Sequence, residues 1–305
     1  SLQTPDPGCG AAESLKRIVL LGGAFTLIGS FFFSVQDALV KWLSTDFSLL
    51  QLLLVRSTVM IPVFALICVW RWGPQGLVTS RPGGHLLRAV FNLVAFLSYY
   101  FAITRMPLVD AISIASAYPV ILAILSGVVL AEVPSGRQIM AVIAGFIGVL
   151  FIIQPTGGEV DWLGASAALF GCFSFAALGI YTRHLSRTES SELMLLSGAL
   201  FILLMSLISV PWTWQTPSFS NLLLMLGLSG VALVGQYALT NGFRYAPVYL
   251  VGALEYTMLI WATLWGFLLF AEVPTLNVVL GAILVVASGL AVVLGERARA
   301  KETNT

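Results

Sequence analysis

Charge is the scarcest property of this chain. Asp, Glu, Lys and Arg make up 10% of its 305 residues, against about 25% in an average soluble domain. Hydrophobic residues make up 58%, so most helices it forms must lie in lipid rather than water. The formal net charge is only +1, which gives nucleic acid nothing to bind. Cysteine is equally sparse: Cys9 sits in a polar stretch, while Cys68 and Cys172 lie inside apolar runs. No Cys-x-x-Cys or Cys/His cluster occurs, so neither a disulfide framework nor a metal site is expected. There is no Gly-Lys-Ser/Thr phosphate loop and no Gly-x-Ser-x-Gly elbow. ATP-driven transport by this chain alone, serine hydrolase chemistry and a bound cofactor are therefore not expected. Residues 1–17 are polar, and the following apolar run is too long for a signal-peptide core, so no cleaved leader is expected.

What the chain has in abundance is long hydrophobic runs. A bilayer core takes roughly 17–25 apolar residues per helix. Ten stretches fit: about 18–40, 48–70, 86–104, 107–130, 136–153, 162–182, 191–211, 220–241, 247–270 and 275–294. The expected fold class is an all-α polytopic membrane protein with ten transmembrane helices. Its connections are short; the longest, about 71–85, is a Pro/Gly-rich loop. Function must then lie within the bundle. With ten crossings, twelve Lys or Arg residues fall on the side of the two tails, and only Lys41 and Arg105 fall opposite. The positive-inside rule then places both termini in the cytoplasm of a multi-pass inner-membrane protein.

One pattern occurs twice. Near Pro107 the chain reads PLVDAISIASAYPVILAILSGVVLAEVPSGRQ, and 140 positions later it reads PVYLVGALEYTMLIWATLWGFLLFAEVPTLNV. Ala131-Glu132-Val133-Pro134 falls on Ala271-Glu272-Val273-Pro274 without a gap. Gly29-Ser30-Phe31-Phe32-Phe33 resembles Gly171-Cys172-Phe173-Ser174-Phe175 more weakly. Each copy holds an odd number of spans, so the second enters the membrane from the opposite side. Inverted copies are the geometry of alternating access. The expected organisation is an N-terminal tail (1–17), a first five-helix repeat (18–153), an outer linker (154–161), a second repeat (162–294) and a C-terminal tail (295–305).

Ten spans as five plus five, with an A-E-x-P corner after spans four and nine, resemble the drug/metabolite transporter superfamily, EamA type. Gly-Val-Leu-Phe-Ile at 148–152 and Gly-Leu-Ala-Val-Val at 289–293 also look like the ends of that family's repeats. YddG-like amino-acid exporters are the nearest subgroup. The resemblance implies a central cavity lined by spans one, three, four, six, eight and nine, with spans five and ten peripheral. One departure matters: Pro119 in span four meets Leu259 in span nine, so hinges at those positions are expected to be asymmetric.

Polar groups inside lipid persist mainly when paired or lining water. In span one Ser30, Ser34, Asp37 and Lys41 form one helical stripe. They suit a hydrated wall for substrate ammonium and carboxylate groups, or Asp37 and Lys41 neutralise each other four residues apart. Glu255, with Tyr256 beside it and Trp261 and Trp265 one and two turns on, could carry a proton coupled to export. It could equally be a structural partner for a hydroxyl elsewhere or for Arg56 in span two, which the resemblance places away from the cavity. Span four offers Asp110, Ser113, Ser116 and Tyr118; Asp110 also fits a simple first-turn acid. Span three carries Asn92 and Tyr99 on one face, and span eight carries Gln236/Thr240 and Tyr237/Asn241 as pairs one turn apart. Each of these reads either as a ligand contact or as interhelical glue. His85 and His184 are expected at the membrane surface. Trp42, Trp70, Trp72, Trp162, Trp212 and Trp214 read as an interfacial belt. Ala141, Gly145 and Gly148 form a small-residue face for packing or for dimerisation, leaving monomer and homodimer both open.

An intramembrane enzyme is the rival reading, but it needs a nucleophile with a base or paired acids, and the sequence presents neither. The expected function is a secondary transporter exporting small metabolites, most plausibly amino acids and among them aromatic ones. Nucleosides, sugar phosphates or drugs are the alternative cargo.

Overall fold

The computed structural model describes residues 7–44, 46–105, 114–115, 117–130, 134–153, 161–270 and 276–302. The helices are α1 (Pro7–Leu43), α2 (Leu49–Trp72), α3 (Pro82–Arg105), α4 (Tyr118–Val129), α5 (Gly136–Ile153) and α6 (Trp162–Leu185). They continue as α7 (Ser191–Thr213), α8 (Phe219–Tyr245), α9a (Val248–Glu255), α9b (Thr257–Phe270) and α10 (Leu276–Glu302). The fold is an all-helical polytopic membrane protein, ten spans built as two inverted five-helix repeats. Among the described residues, 17–40, 49–72, 162–185, 191–213 and 219–245 are each long and apolar enough to cross a bilayer. The A-E-x-P corners (131–133 and 271–274), Asp110 and Ser113 lie outside the described residues.

Local chemistry sets the helix starts. Ser48, Ser190 and Ser218 accept the first free backbone N–H groups of α2, α7 and α8 through their hydroxyls, and Asp161 does so for α6 through its carboxylate. Ser135 and Gln138 cap α5 reciprocally. The Ser135 N–H donates to Gln138 Oε1 at 2.7 Å, and the Gln138 N–H donates to Ser135 Oγ at 3.3 Å. α1 and α10 run past the predicted apolar runs because Ala-, Glu-, Lys- and Arg-rich segments continue the helix into the polar phase.

The principal packings are α1 on α8, α3 on α6, α2 on α7, α4 on α9a and α5 on α10. Moving each helix five places along the chain turns the first pair into the second and returns each other pair to itself. A two-fold relation between inverted halves requires this pattern. It extends to atoms. A Cβ on Gly29 would meet the Leu239 nitrogen at 3.1 Å and the Gly235 oxygen at 3.3 Å. A Cβ on Gly171, its repeat equivalent, would meet the Tyr99 nitrogen at 3.4 Å and the Ala95 oxygen at 3.5 Å. The partner residues are themselves 140 positions apart. With no hydrophobic drive between helices in lipid, such glycine-lined approaches supply the association through dispersion and close backbone contact.

The small-residue face of α5 is consumed inside the fold. Gly148 sits against the Gly281 carbonyl, and the Ser288 hydroxyl donates to the Ala141 carbonyl at 2.6 Å. That face is therefore closed to a second copy. The outward surface is apolar: Leu66 is 71% exposed while Arg56, on the same helix, is 5% exposed. Leucine faces the lipid and the charge faces the bundle, the reverse of a soluble protein.

Span nine, expected as one helix, is broken at Tyr256 although no proline marks the place. There the Tyr256 N–H and the Thr257 hydroxyl both turn to the Leu254 carbonyl, the latter at 2.7 Å. Span four restarts at Tyr118, with Pro119 in its first turn, where a missing N–H does no harm. The two equivalent spans are thus both interrupted near mid-membrane, on either side of a contact between Gly252 and Pro119.

Candidate functional site

The polar side chains inside the bundle fall into three layers. They are best placed from the tail face, where α1 begins and α10 finishes, and from the opposite face. At 1.5 Å per residue, Asp37, Arg56, Tyr99 and Trp265 each lie about 8–10 Å from the opposite-face ends of their helices. The Trp265 indole N–H donates to Ser34 Oγ at 3.1 Å, and Ser34 in turn donates to the Phe31 carbonyl at 2.7 Å. This fixes the stripe of α1 against α9b. The Phe31 ring packs edge-on against Trp261 with centroids 5.3 Å apart and against Trp265 at 5.7 Å. Three turns of two helices thereby form an aromatic wall. Asp37, one turn past Ser34, is exposed although it faces neighbouring helices. It shares its electrostatic surroundings with Arg56 of α2 and Tyr99 of α3.

The middle layer forms at the two helix breaks. The Tyr118 hydroxyl donates to Glu255 Oε2 at 2.8 Å, joining the start of α4 to the end of α9a. Of the two structural partners weighed for it, Glu255 therefore takes a hydroxyl, the phenol of the equivalent span, and not Arg56. The Cys172 thiol points at the carbonyls of Ile114 and Ala115 at 3.2 and 3.4 Å, beside the turn where the Ala117 N–H donates to the Ile114 carbonyl at 3.0 Å. Among the described residues its repeat equivalent, Ser30, is buried with its hydroxyl unpartnered, as are the Tyr256 hydroxyl and the Trp261 indole N–H. A buried unpaired donor costs about 1–3 kcal/mol, so each marks a place where a ligand or a water molecule could supply an acceptor.

The third layer lies toward the tail face and is a closed network. Arg71 Nη1 donates to Glu192 Oε1 at 2.6 Å, and the Tyr237 hydroxyl reaches the same oxygen at 3.3 Å. Asn241 accepts from the Ser191 hydroxyl at 3.0 Å and donates to the Tyr237 carbonyl at 2.8 Å. Glu189 Oε1 accepts from Thr79 at 2.9 Å and Ser80 at 3.2 Å, while its Oε2 lies 3.6 Å from His85 Nε2. His85 Nδ1 and Ser197 Oγ are 2.7 Å apart. His85 is thus buried rather than at the surface, because the loop of residues 186–190 folds over it; His184 is exposed as expected. Arg88, also buried, donates to Thr182 Oγ1 and the Met194 carbonyl. Glu192 is 4% exposed and Arg71 47%, which makes the pair asymmetric. Arg71→Ala leaves a buried carboxylate with one phenol, a loss of about 1–3 kcal/mol, whereas Glu192→Gln frees an arginine that can turn to water. We expect thermal unfolding in detergent to rank Arg71→Ala clearly below Glu192→Gln.

Of the sequence-predicted residues, the structure gathers Ser34, Asp37, Tyr99 and Trp261 in the layer nearer the opposite face, and Glu255 and Tyr256 at the break. Tyr237 and Asn241 instead join the tail-side network. Asn92 is buried on α3 one turn from Arg88, and Gln236 is half-buried on α8. The side chain of Lys41 lies outside the described residues. Tyr118, offered by span four, joins Glu255 at the break; Arg56, which the resemblance set aside, and Cys172 are the additions the structure makes to the candidate list. Outside the membrane, Asp161 caps α6 and binds Arg105 Nε at 3.1 Å. The Gly164 N–H and the Arg105 guanidinium hold its carboxyl below the usual range. The six belt tryptophans are all exposed.

Comparison with known proteins agrees with this architecture. The pseudopaline exporter CntI of Pseudomonas aeruginosa is 26% identical over 286 residues, covering 92% of this chain and 96% of the exporter. An S-adenosylmethionine uptake transporter of Rickettsia prowazekii is 26% identical over 274 residues, covering 87% of this chain and 89% of that protein. A solved crystal structure superposes with a TM-score of 0.78 at 18% identity, covering 91% of this chain and 98% of its own; at that identity it speaks for the fold alone. The profile of the EamA-like transporter family matches residues 20–154 and again 162–294. The two matches are the two repeats, so this chain belongs to the EamA-like transporter family and is a small-molecule transporter of the membrane, not an enzyme.

Proposed function

We propose that the protein is a secondary active exporter of small metabolites, amino acids and among them aromatic ones, working by alternating access in the inner membrane with both termini cytoplasmic. The observation that carries this reading is the Tyr118–Glu255 bond across the two broken, repeat-equivalent spans. Interrupted helices near mid-membrane expose backbone dipoles where substrates and coupling ions bind. Glu255 ends α9a, where the helix dipole is negative. A carboxylate there invites a proton or a substrate ammonium group, and Tyr118 is positioned to let go when one arrives. The tail-side network and the accessible Asp37 together fit a form closed to the cytoplasm and open outward. Rocking the halves about the Gly252–Pro119 contact exchanges that form for its inverse. Residues 18–153 and 162–294 are then the moving repeats, joined by the linker at 154–161, and one chain suffices for the cycle.

The relatives include one named as an exporter and one named as an uptake transporter, so the fold alone does not fix direction. The test is counterflow in proteoliposomes against amino acids and nucleosides, with and without a pH gradient. The reading predicts saturable amino-acid exchange accelerated by the gradient. Exchange of nucleosides alone, or linear unsaturable flux, would remove it.

A further inference from the structure

Resting on that reading, we infer that Arg56 of α2 is the site's carboxylate-binding residue and, with Asp37, holds the two charged ends of a zwitterionic cargo. Three observations converge on it. First, the Arg56 side chain is 5% exposed, and among the described residues its guanidinium makes no hydrogen bond; the charge of Asp37 is the one it senses. A buried cation without bonded partners is costly, and the cost is recovered when a ligand supplies an acceptor. Arginine's planar fork suits a carboxylate in particular.

Second, Asp37 lies at the same depth on α1, whose Leu39, Val40 and Leu43 pack in one cluster with Leu52 and Val55 of α2; it remains accessible, and among the described residues no ion pair joins it to Arg56. That open gap takes an ammonium group at Asp37 and a carboxylate at Arg56. Third, the neighbouring wall is aromatic: the Phe31 ring lies within 6 Å of both Trp261, edge-on, and Trp265, tilted. Among the described residues the buried Trp261 indole N–H has no partner. An apolar ring on the ligand would extend this wall, and Tyr99 would close the opposite side. Sequence reasoning assigned the positive role to Lys41 and set Arg56 aside because its span was held to be peripheral. α2 packs on α7 and α8 and still turns this one charge inward.

The experiment is ligand-induced thermal stabilisation of the purified protein, titrated with phenylalanine, with phenethylamine (no carboxylate) and with 3-phenylpropionate (no ammonium). The wild type is expected to bind phenylalanine about ten-fold or more tighter than either analogue, as charge-assisted contacts imply. Arg56→Gln should bind phenylalanine no better than phenethylamine, and Asp37→Asn should bind it no better than 3-phenylpropionate. Should Arg56→Gln fail to accumulate, Arg56→Lys keeps the charge but loses the fork and is expected to weaken phenylalanine binding several-fold. A wild-type preference that survives intact in Arg56→Gln, or in Arg56→Lys, overturns the assignment while leaving the amino-acid reading standing. A wild type that binds none of the three but is stabilised by nucleosides overturns both.

Discussion

Leucine in place of Gly22 should leave little folded protein in the membrane. A Cβ there would already lie 2.6 Å from the Ala246 nitrogen, 2.7 Å from the Ala246 Cβ and 2.9 Å from the Tyr245 carbonyl carbon. Backbone atoms of α8 and its following turn cannot swing aside as a side chain can. Overpacking by a few methylenes costs about 1–3 kcal/mol even where neighbours give, and here they do not. Against a total stability of about 5–15 kcal/mol, forcing α1 from α8 removes one of the bundle's principal packings. Gly227 on α8 has nothing within 4 Å of its would-be Cβ, and Gly227→Leu is the matched control. We expect the monodisperse peak in size-exclusion chromatography to vanish for the first and survive for the second.

Glu255→Gln should abolish acceleration by a pH gradient while leaving substrate counterflow measurable. Glutamine keeps an acceptor for the Tyr118 hydroxyl, so the bond at 2.8 Å and the joint between α4 and α9a can survive. What glutamine cannot do is take up and release a proton. Gradient-driven flux should therefore fall about 10- to 100-fold, the size of a typical coupling between two linked sites, with exchange in the absence of a gradient little changed. Tyr118→Phe leaves the carboxylate without its donor and should shift the pH at which the gradient acts without uncoupling it. A Glu255→Gln variant as responsive to the gradient as the wild type would remove Glu255 from the coupling path.

The fold was largely legible because membrane insertion enforces a crude rule that survives in composition. Each span must be long and apolar, and the repeat at 107 and 247 announces the halves. What was not legible is where helices stop being regular. Pro119 marks the interruption in span four, but span nine breaks at Tyr256 on the strength of a local Thr257–Leu254 bond that many sequences could make. The site was legible in part: a stripe of Ser34 and Asp37 on one face is readable from spacing. Arg56 was not, because a lone arginine in a leucine-rich helix gives no sign of which way it turns. His85 was misread for a similar reason, since a histidine at a helix end looks exposed until the loop carrying Glu189 is laid over it. Tyr237 and Asn241 show the converse: two residues with the chemistry of a binding site spend their hydrogen bonds on Glu192 and Ser191.

The central claim is that two antiparallel copies trade one closed face for the other around a shared site. Its most direct test is an accessibility measurement on a cysteine at position 37, with Cys9, Cys68 and Cys172 replaced, using an impermeant thiol reagent added to one face at a time. Free to cycle, the site should react from both faces; once a disulfide between cysteines at 80 and 189 pins the tail side shut, reaction should persist from the far face and cease from the near one. Labelling that never occurs from one of the faces, or that ignores the crosslink, would contradict it.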